Sequence, residues 1–247
     1  MIWTPRTFAH NFDGIWSWDG PAASTATYVV TMTQTYSGNQ DMVAGLISFK
    51  GTSIHFVQAA AAASPQNVFV DGFTMAFPAA TTPGNAIVVD LFMLNGNPDH
   101  FEVTDTQGNT YHRIFELNPI FTGNQFASFY TTGIVGGANL ISIVVKPPTN
   151  PGDILDWAAA IHEYSGFDSS PVDAFGTGHV EVQPDVSTVT ASAAAAAGEL
   201  LHAFVATHSF HAGPMTIETI SPLDLAGQVS GTFRGFVGGG QIGGGTK

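Results

Sequence analysis

The chain has 247 residues, of which 44% are hydrophobic and only 10% are charged. This length could hold one large β-domain or two small ones, with a sizeable core. The formal net charge of -13 repels phosphate backbones and anionic membrane surfaces, which argues against nucleic-acid partners. The N-terminal segment has no apolar run of transmembrane length, so membrane insertion is not expected. The sequence contains no Cys, so disulfides, thiolate nucleophiles and Cys-based zinc sites are excluded.

The first twenty residues, Met1–Gly20, are rich in large aromatic rings but show no clear strand period. Such rings anchor protein interfaces, stack on sugars, or fold over the protein's own core. We interpret residues 1–20 as an extended arm that contacts neighbouring subunits. The segment shows no secretory signal pattern, so a signal was either trimmed or never used. The candidate interface residues are Trp3, Phe8, Phe12, Trp16 and Trp18.

Short β-rich runs separated by Gly, Pro and Asn follow this segment, and their spacing predicts an all-β, jelly-roll-like antiparallel sandwich. Two Ala-rich stretches, Gln58–Gln66 and Thr190–Glu199, are short and lack an amphipathic stripe, so we interpret them as strand or loop, with one turn of helix as the alternative. The predicted strands are Thr27–Thr33, Met42–Phe49, Ser53–Ala59, Gly72–Phe77, Ala86–Leu94, Phe101–Asp105, Thr110–Glu116, Phe126–Thr132, Leu140–Lys146, Trp157–Tyr164, Val186–Ala191, Leu200–His208 and Thr216–Ile220.

Two segments repeat a pattern of small residues, a Gly, a polar residue and a long apolar run. They are TTPGNAIVVDLFML, from Thr81, and AAAGELLHAFVATH, from Ala195. We interpret them as the beginnings of two equivalent strands in one double-sheet fold, because a tandem-domain repeat would need more copies. The predicted organisation is therefore an arm over residues 1–20, one sandwich over 21–228 and a Gly-rich tail over 229–247. The tail cannot build its own core.

Polar residues are concentrated in VTDTQGNTYHRI, Val103–Ile114. Asp105 ends an apolar run, Gly108 and Asn109 tolerate positive φ, and Thr110 begins the next run. This pattern predicts a hairpin turn in which the Asp105 carboxylate binds turn amides. A calcium or ligand site at Asp105 is the alternative.

The same stretch, followed by FYTTGIVGGANLISIVV and AAIHEYSGFDSSPVDAF, carries a resemblance. It is similar to the Asp-x-x-Gly-Asn-x-Tyr, Gly-Ala-Asn and Glu-Tyr-x-Gly succession of β-sandwich modules in phage virion proteins and large bacterial surface proteins. The similarity spans about Gly72–Leu225. It implies a structural or adhesive unit and brings no catalytic residue with it.

Glu163 is the one acid that invites a catalytic interpretation. Strand alternation puts Trp157, Ala159, Ile161 and Glu163 on one face. A half-buried Glu could act as the general acid of a jelly-roll glycosidase, but such enzymes use paired carboxylates and no acid-x-acid pattern accompanies Glu163 in the sequence. The alternative is a Glu163 carboxylate held by backbone or Arg113 hydrogen bonds.

Histidine spacing gives little support for a metal site. His202 and His208 fall on one strand face but lie roughly 20 Å apart at about 3.3 Å per residue, too far to share an ion. A pair formed by His208 and His211 across a turn stays open. Phosphate-binding and nucleophile-elbow motifs are absent from the sequence. We therefore predict no catalytic, cofactor-binding or metal-ligating residue.

These observations together favour a non-enzymatic structural building block of an extracellular assembly, either a virion component or a surface-filament subunit. Its expected partners are copies of itself or other assembly subunits, and its expected location is extracellular or virion. A carbohydrate-binding module or adhesin with a surface glycan as ligand is the alternative, and a jelly-roll glycosidase is the third.

Overall fold

The structure is a computed structural model that describes residues 4–10, 13–36, 40–63, 72–94, 100–117, 124–146, 156–181, 185–209 and 216–222. All regular secondary structure in these ranges is β-strand, and all strand pairs are antiparallel. The predicted all-β antiparallel sandwich is therefore confirmed. No helix in this part of the chain could span a membrane.

The strands match most of the predicted runs. Residues 58–63 of the first Ala-rich stretch lie in β4, and residues 190–195 of the second lie in β12, followed by a turn. Two expectations changed: β4 joins two predicted strands, and β11 continues far past Tyr164. The strands are β1 (Thr4–His10), β2 (Asp13–Pro21), β3 (Ala26–Tyr36), β4 (Gln40–Ala63), β5 (Gly72–Ala76), β6 (Ala86–Leu94), β7 (His100–Asp105), β8 (His112–Leu117), β9 (Asn124–Thr132), β10 (Leu140–Lys146), β11 (Asp156–Glu181), β12 (Asp185–Ala195), β13 (Leu200–Ser209) and β14 (Thr216–Pro222).

The strands form one eight-stranded sheet, in the order β1-β2-β13-β4-β11-β6-β9-β8, and two three-stranded sheets, β5-β10-β7 and β12-β3-β14. The long strands β4 and β11 pair along most of their length. The N-terminal part of β4 also pairs with β13, whereas the N-terminal part of β11 pairs with β6. The central β4–β11 pair therefore joins two halves of the large sheet.

The two halves repeat the same architecture. The strand order of the large sheet is symmetric: it reads the same in reverse when the strands are exchanged in pairs. The exchanged pairs are β1 with β8, β2 with β9, β13 with β6, and β4 with β11. Strands β5 to β11 correspond in turn to β12, β13, β14, β1, β2, β3 and β4. One seven-stranded unit is thus continuous in the chain, and the other is assembled from both ends. The two similar sequence segments lie at matching positions, since Gly84 before β6 has φ 84° and Gly198 before β13 has φ 89°.

Three apolar clusters separate the layers. One lies between β12-β3-β14 and its half of the large sheet, and includes Tyr28 and Leu46. A second lies between β5-β10-β7 and the other half, and includes Leu91. The third joins the two halves face to face, where the Phe115 and Phe204 rings stack with centroids 5.8 Å apart. The molecule is therefore a four-layered pair of sandwiches.

The N-terminal segment differs from the expected extended arm. Strand β1 pairs with β2, and β2 pairs with β13 in the large sheet. The Trp18 side chain is 4% exposed and packs in the first apolar cluster, so this ring is not available as an interface anchor. The strand period of β2 was hidden because Ser17 and Asp19, both buried, face the opposite side from Trp18.

The predicted hairpin at Asp105 is wrong in one respect. The tight turn exists, with Gly108 at φ 75° and its amide on the Asp105 carbonyl oxygen at 3.3 Å. However, β7 pairs with β10 of the small sheet, whereas β8 pairs with β9 of the large sheet. The turn therefore crosses between layers and does not join two paired strands. Turn residues signal a reversal, but they do not specify which strands pair.

Small residues let β12 pass unusually close to β11. A Cβ atom added at Gly176 would lie 1.8 Å from the Ser192 carbonyl oxygen, and one at Gly178 would lie 1.9 Å from that of Thr190. The Ser48 hydroxyl also donates to the Ala194 carbonyl oxygen at 2.7 Å. Backbone atoms cannot move away as a flexible side chain can, so side chains at these two positions would push the layers apart.

We expect Gly176→Val to lower the free energy of unfolding by about 2–3 kcal/mol or more, because its side chain meets backbone and not open space. In thermal unfolding this corresponds to a loss of roughly 5–10 °C for a chain of this size. Gly133→Asn is the control, since Gly133 has φ 63° and open space around it, and Asn tolerates that backbone conformation. Equal melting temperatures for the two variants would contradict the close approach of β12.

Candidate functional site

The Asp105 carboxylate organises the turn between β7 and β8. Its Oδ1 accepts the backbone amides of Gln107 and Asn109 at 3.1 and 3.0 Å. Its Oδ2 accepts the Asn109 side-chain amide at 2.7 Å, the Tyr111 hydroxyl at 3.0 Å and the Asn139 side-chain amide at 2.9 Å. The predicted binding of turn amides is confirmed. All five contacts are donors, which is the environment of a structural carboxylate.

These contacts also set the ionisation of the turn. Partial burial raises the pKa of Asp105, but the hydrogen bonds from Asn139, Asn109 and Tyr111 outweigh it and hold the pKa below the usual range. Burial and the adjacent Asp105 charge raise the pKa of Tyr111, which keeps its hydroxyl protonated as a donor. The charged form of Asp105 is therefore the form that the fold stabilises.

Glu163 lies on the β11 face predicted for it, beside Ile161 and fully buried. Its Oε1 accepts the Thr82 backbone amide at 2.7 Å and the Asn85 side-chain amide at 2.6 Å. Its Oε2 accepts the Gln58 side-chain amide at 2.6 Å. This is the hydrogen-bonded alternative from the sequence analysis, although Arg113 is not involved: Arg113 pairs with Glu116. Glu163 therefore fastens the beginning of β6 to β4 and β11.

The most concentrated polar group in the described residues lies at the centre of the molecule. Asp90 on β6, His162 on β11 and His202 on β13 have 0% exposure. The Asp90 Oδ2 atom is 2.8 Å from His202 Nε2 and 3.7 Å from His162 Nδ1. Potential metal-ligand atoms of all three residues lie within 4.8 Å of one another. Asp90 and His162 come from one sandwich unit, and His202 comes from the other.

A second layer of polar groups surrounds this trio. Ser128 donates to Asp90 Oδ1 at 2.8 Å, and the Ser17 hydroxyl lies 2.6 Å from His162 Nε2. The Tyr164 hydroxyl lies 3.2 Å from His202 Nδ1 and donates to Asp19 Oδ2 at 2.8 Å. These four second-layer side chains are also buried. The network thus links five strands, β2, β6, β9, β11 and β13, across the contact between the two units.

The electrostatics favour a charged carboxylate within this network. Complete burial by itself raises the pKa of Asp90. The opposing effects of His202, His162 and the Ser128 hydrogen bond are together larger, so the pKa of Asp90 lies below its ordinary value. A buried carboxylate without such neighbours would instead become neutral. The centre is therefore suited to a positive charge, whether carried by an imidazolium or by a bound cation.

Two kinds of chemistry can be compared with this arrangement. Ser17, His162 and Asp90 have the order of contacts found in a serine nucleophile triad. However, the Ser17 side chain is only 1% exposed, so a substrate has no route to its hydroxyl in this structure. Two imidazoles and a carboxylate are also a common ligand set for zinc and related ions, and that chemistry requires no substrate access.

The sequence analysis missed this centre. It considered His202 only with His208, whose side chain lies outside the described residues, and it paired His208 with His211, which lies wholly outside them. The partners of His202 are Asp90 and His162, on strands distant in the sequence. The alternation AAIHEYSG did place His162 and Tyr164 on one face of β11, and that polar pair on an otherwise Ala-rich face was the available signal.

Of the five aromatic interface candidates, only Trp18 has a described side chain, and it is buried. Phe8 and Trp16 lie in β1 and β2, with side chains outside the described part, and Trp3 and Phe12 lie outside the described residues.

Comparisons with known proteins give little further information. No family model and no curated protein matches the chain. One match is to a chain in a solved structure of infectious bursal disease virus, Gt strain, with 8% sequence identity over 94% of this chain and 86% of that chain. Its TM-score is 0.23, a value at which the match supports no argument about fold or function.

We expect Glu163→Gln to lower the free energy of unfolding by about 1–3 kcal/mol. The substitution replaces one carboxylate oxygen with an NH₂ group, which cannot accept a hydrogen bond, so at least one of the donors around Glu163 loses its acceptor. Chemical denaturation at neutral pH measures this. Asp168→Asn is a suitable control, since Asp168 lies exposed on the same strand. Equal stability of the two variants would show that Glu163 does not fasten β6.

The Asp105 turn predicts a pH dependence. A carboxylate whose folded pKa is lowered stabilises the fold above its unfolded pKa, and this stabilisation is lost as the pH falls through the folded value. Asp105→Asn should therefore be less stable than the wild type by about 1 kcal/mol at pH 7, and the difference should shrink below about pH 4. Thermal unfolding across pH 2–8 tests this, and a difference independent of pH would contradict it.

Proposed function

We propose that the protein is a non-enzymatic structural building block of an extracellular assembly, either a virion component or a surface-filament subunit. The observation that carries this proposal is that its buried acids and histidines hold strands together. Asp90, Glu163, His162 and His202 have no exposed surface. The contact of Asp90 with His202 joins the two sandwich units, and Glu163 fastens the beginning of β6 to β4. Residues that could serve catalysis are thus occupied in holding strands together.

The exterior supports an assembly role. Strands β1 and β8 are the outermost strands of the large sheet, and each small sheet has two further outer strands. Outer strands carry unpaired backbone groups that can add strands from another chain. With few charged residues in the sequence, shape and apolar burial would set the specificity of such contacts. Copies of this chain or other assembly subunits are the partners we propose, and the sequence resemblance to virion and surface modules agrees with this role.

The alternative of a carbohydrate-binding module needs a row of exposed rings that can stack on sugars. Among the described side chains, Phe175 at 48% is the one exposed aromatic ring. A single ring does not make a sugar platform, so we favour the assembly role over glycan binding.

The edge strand β1 gives a direct test. Deleting residues 1–10 removes β1 with Trp3 and Phe8 but leaves β2 and its buried Trp18 in place. We expect near-native β circular dichroism and loss of the multimers or polymers that the full chain forms at high concentration. Sedimentation velocity and negative-stain electron microscopy are the measurements.

The control is the deletion of residues 229–247, the predicted Gly-rich tail at the other end of the sequence. Full assembly by the N-terminal deletion would show that the contacts lie elsewhere. If that deletion unfolds, the double variant Trp3→Ala/Phe8→Ala tests the same rings in an intact chain. A full-length chain that stays monomeric at every concentration, alone and with other subunits of its source particle, would overturn the proposal.

A further inference from the structure

The geometry points to a metal-binding site between the two sandwich units: Asp90, His162 and His202 bind one divalent transition-metal ion of the Zn²⁺ class. This inference concerns the centre of the fold and does not depend on the assembly role. It runs against the sequence-based expectation of no metal ligand.

The positions of the three ligand atoms fit one small ion. Two ligands each about 2.0 Å from a tetrahedral zinc ion are separated by roughly 3.3 Å. The distances from Asp90 Oδ2, 2.8 Å to His202 Nε2 and 3.7 Å to His162 Nδ1, lie on either side of that value. The ligand atoms of all three residues lie within 4.8 Å of one another, so the two imidazoles would have to move closer together to surround one ion. The fourth position would be taken by a water molecule.

The surrounding hydrogen bonds make these atoms suitable ligands. A metal-binding imidazole normally donates its second N–H group to an oxygen atom, which fixes its tautomer. His162 has its Nε2 beside the Ser17 hydroxyl, which leaves Nδ1 for the ion. His202 has its Nδ1 beside the Tyr164 hydroxyl, which leaves Nε2 for the ion.

The hydroxyl groups themselves are arranged to accept these protons. The Tyr164 hydroxyl donates to Asp19 Oδ2 at 2.8 Å, and its oxygen lies 3.2 Å from His202 Nδ1 in position to accept the N–H group there. Ser128 binds Asp90 Oδ1 and leaves Oδ2 for the ion. For each of the three ligands, the atom that does not face the centre therefore has a neighbour that sets its orientation.

The ligand chemistry selects the class of ion. Calcium and magnesium prefer sites made of oxygen atoms, whereas two imidazoles favour zinc and its transition-metal neighbours. The ion would also compensate the buried charge of Asp90 with both histidines neutral. Because the ligands come from both units, bound metal would fasten the two sandwiches across their shared face.

The test uses the full-length protein after treatment with a chelator. Adding one equivalent of Zn²⁺ should raise the melting temperature by about 5 °C or more when zinc is well above its dissociation constant, whereas Ca²⁺ or Mg²⁺ should not. Elemental analysis should then give one zinc per chain. Zinc X-ray absorption should show two imidazoles in the coordination shell.

The variants separate this site from surface histidines. His202→Gln should lose the tight zinc equivalent and the thermal shift, whereas His179→Gln, at an exposed position on β11, should keep both. Tyr164→Phe removes the acceptor of the His202 N–H group and should weaken zinc binding by about 10- to 100-fold. Isothermal titration calorimetry measures these affinities.

Three outcomes would contradict the metal site. No zinc equivalent and no thermal shift in the wild type would overturn the inference, and the trio would then be a buried ion-pair network. Zinc binding that survives in a folded His202→Gln variant would also overturn it. If that variant does not fold, the X-ray absorption spectrum of the wild type decides, since a shell without two imidazoles excludes the proposed ligands.

Discussion

The burial of Asp90 is the constraint around which the molecule is organised. A carboxylate removed from water costs several kcal/mol unless charges and hydrogen bonds compensate it. Here the compensation comes from His162 and Ser128 of one sandwich unit and from His202 of the other. Neither unit could bury this carboxylate alone with the same partners. The two sandwiches are therefore coupled by electrostatics as well as by the apolar cluster around them.

The paired strands β4 and β11 also connect the two units through their backbones. Each strand contributes its first part to one unit and its second part to the other, so the large sheet is continuous through the centre. One unit uses β5 to β11, and the other needs both β1 to β4 and β12 to β14. Most contacts of the second unit therefore join residues far apart in sequence. Long-range pairing of this kind is expected to form late and slowly in folding.

Much of the fold could be predicted from the sequence because strand alternation is local. The runs at Ala86–Leu94 and Leu140–Lys146 were predicted with the same bounds that the structure gives. Both Ala-rich stretches were interpreted as strand or loop, which matches β4 and β12, and the Asp105 turn with its amide contacts was also predicted. These features depend on residues within a few positions of each other.

The features that escaped prediction depend on distant pairing. Nothing within VTDTQGNTYHRI shows that β7 and β8 belong to different sheets. The strand β2 escaped because its buried Ser17 and Asp19 replace the apolar residues that normally mark a core-facing side. The same substitution of polar for apolar residues concealed the central site. Polar residues at core positions are hard to recognise until the strands that satisfy them are known.

The repeated architecture explains where the polar centre arises. The spacing between Gly84 and Gly198 makes Val88 equivalent to His202, and Asp90 equivalent to Phe204. Strand register agrees, because Asp90 pairs with Ser128 on β9 while Phe204 pairs with Ser17 on β2. One unit thus has a carboxylate where the other has a phenyl ring.

The neighbouring strands differ at the same two positions. Phe204 pairs with Gly45, where an added Cβ would lie 2.2 Å from the Phe204 ring, whereas Asp90 pairs with Ala160. The large ring thus lies opposite a residue without a side chain. The asymmetry leaves one negative charge and two imidazoles at the centre. Divergence between two equivalent strands is therefore sufficient to turn an apolar contact between sandwich units into a polar site with defined ligands.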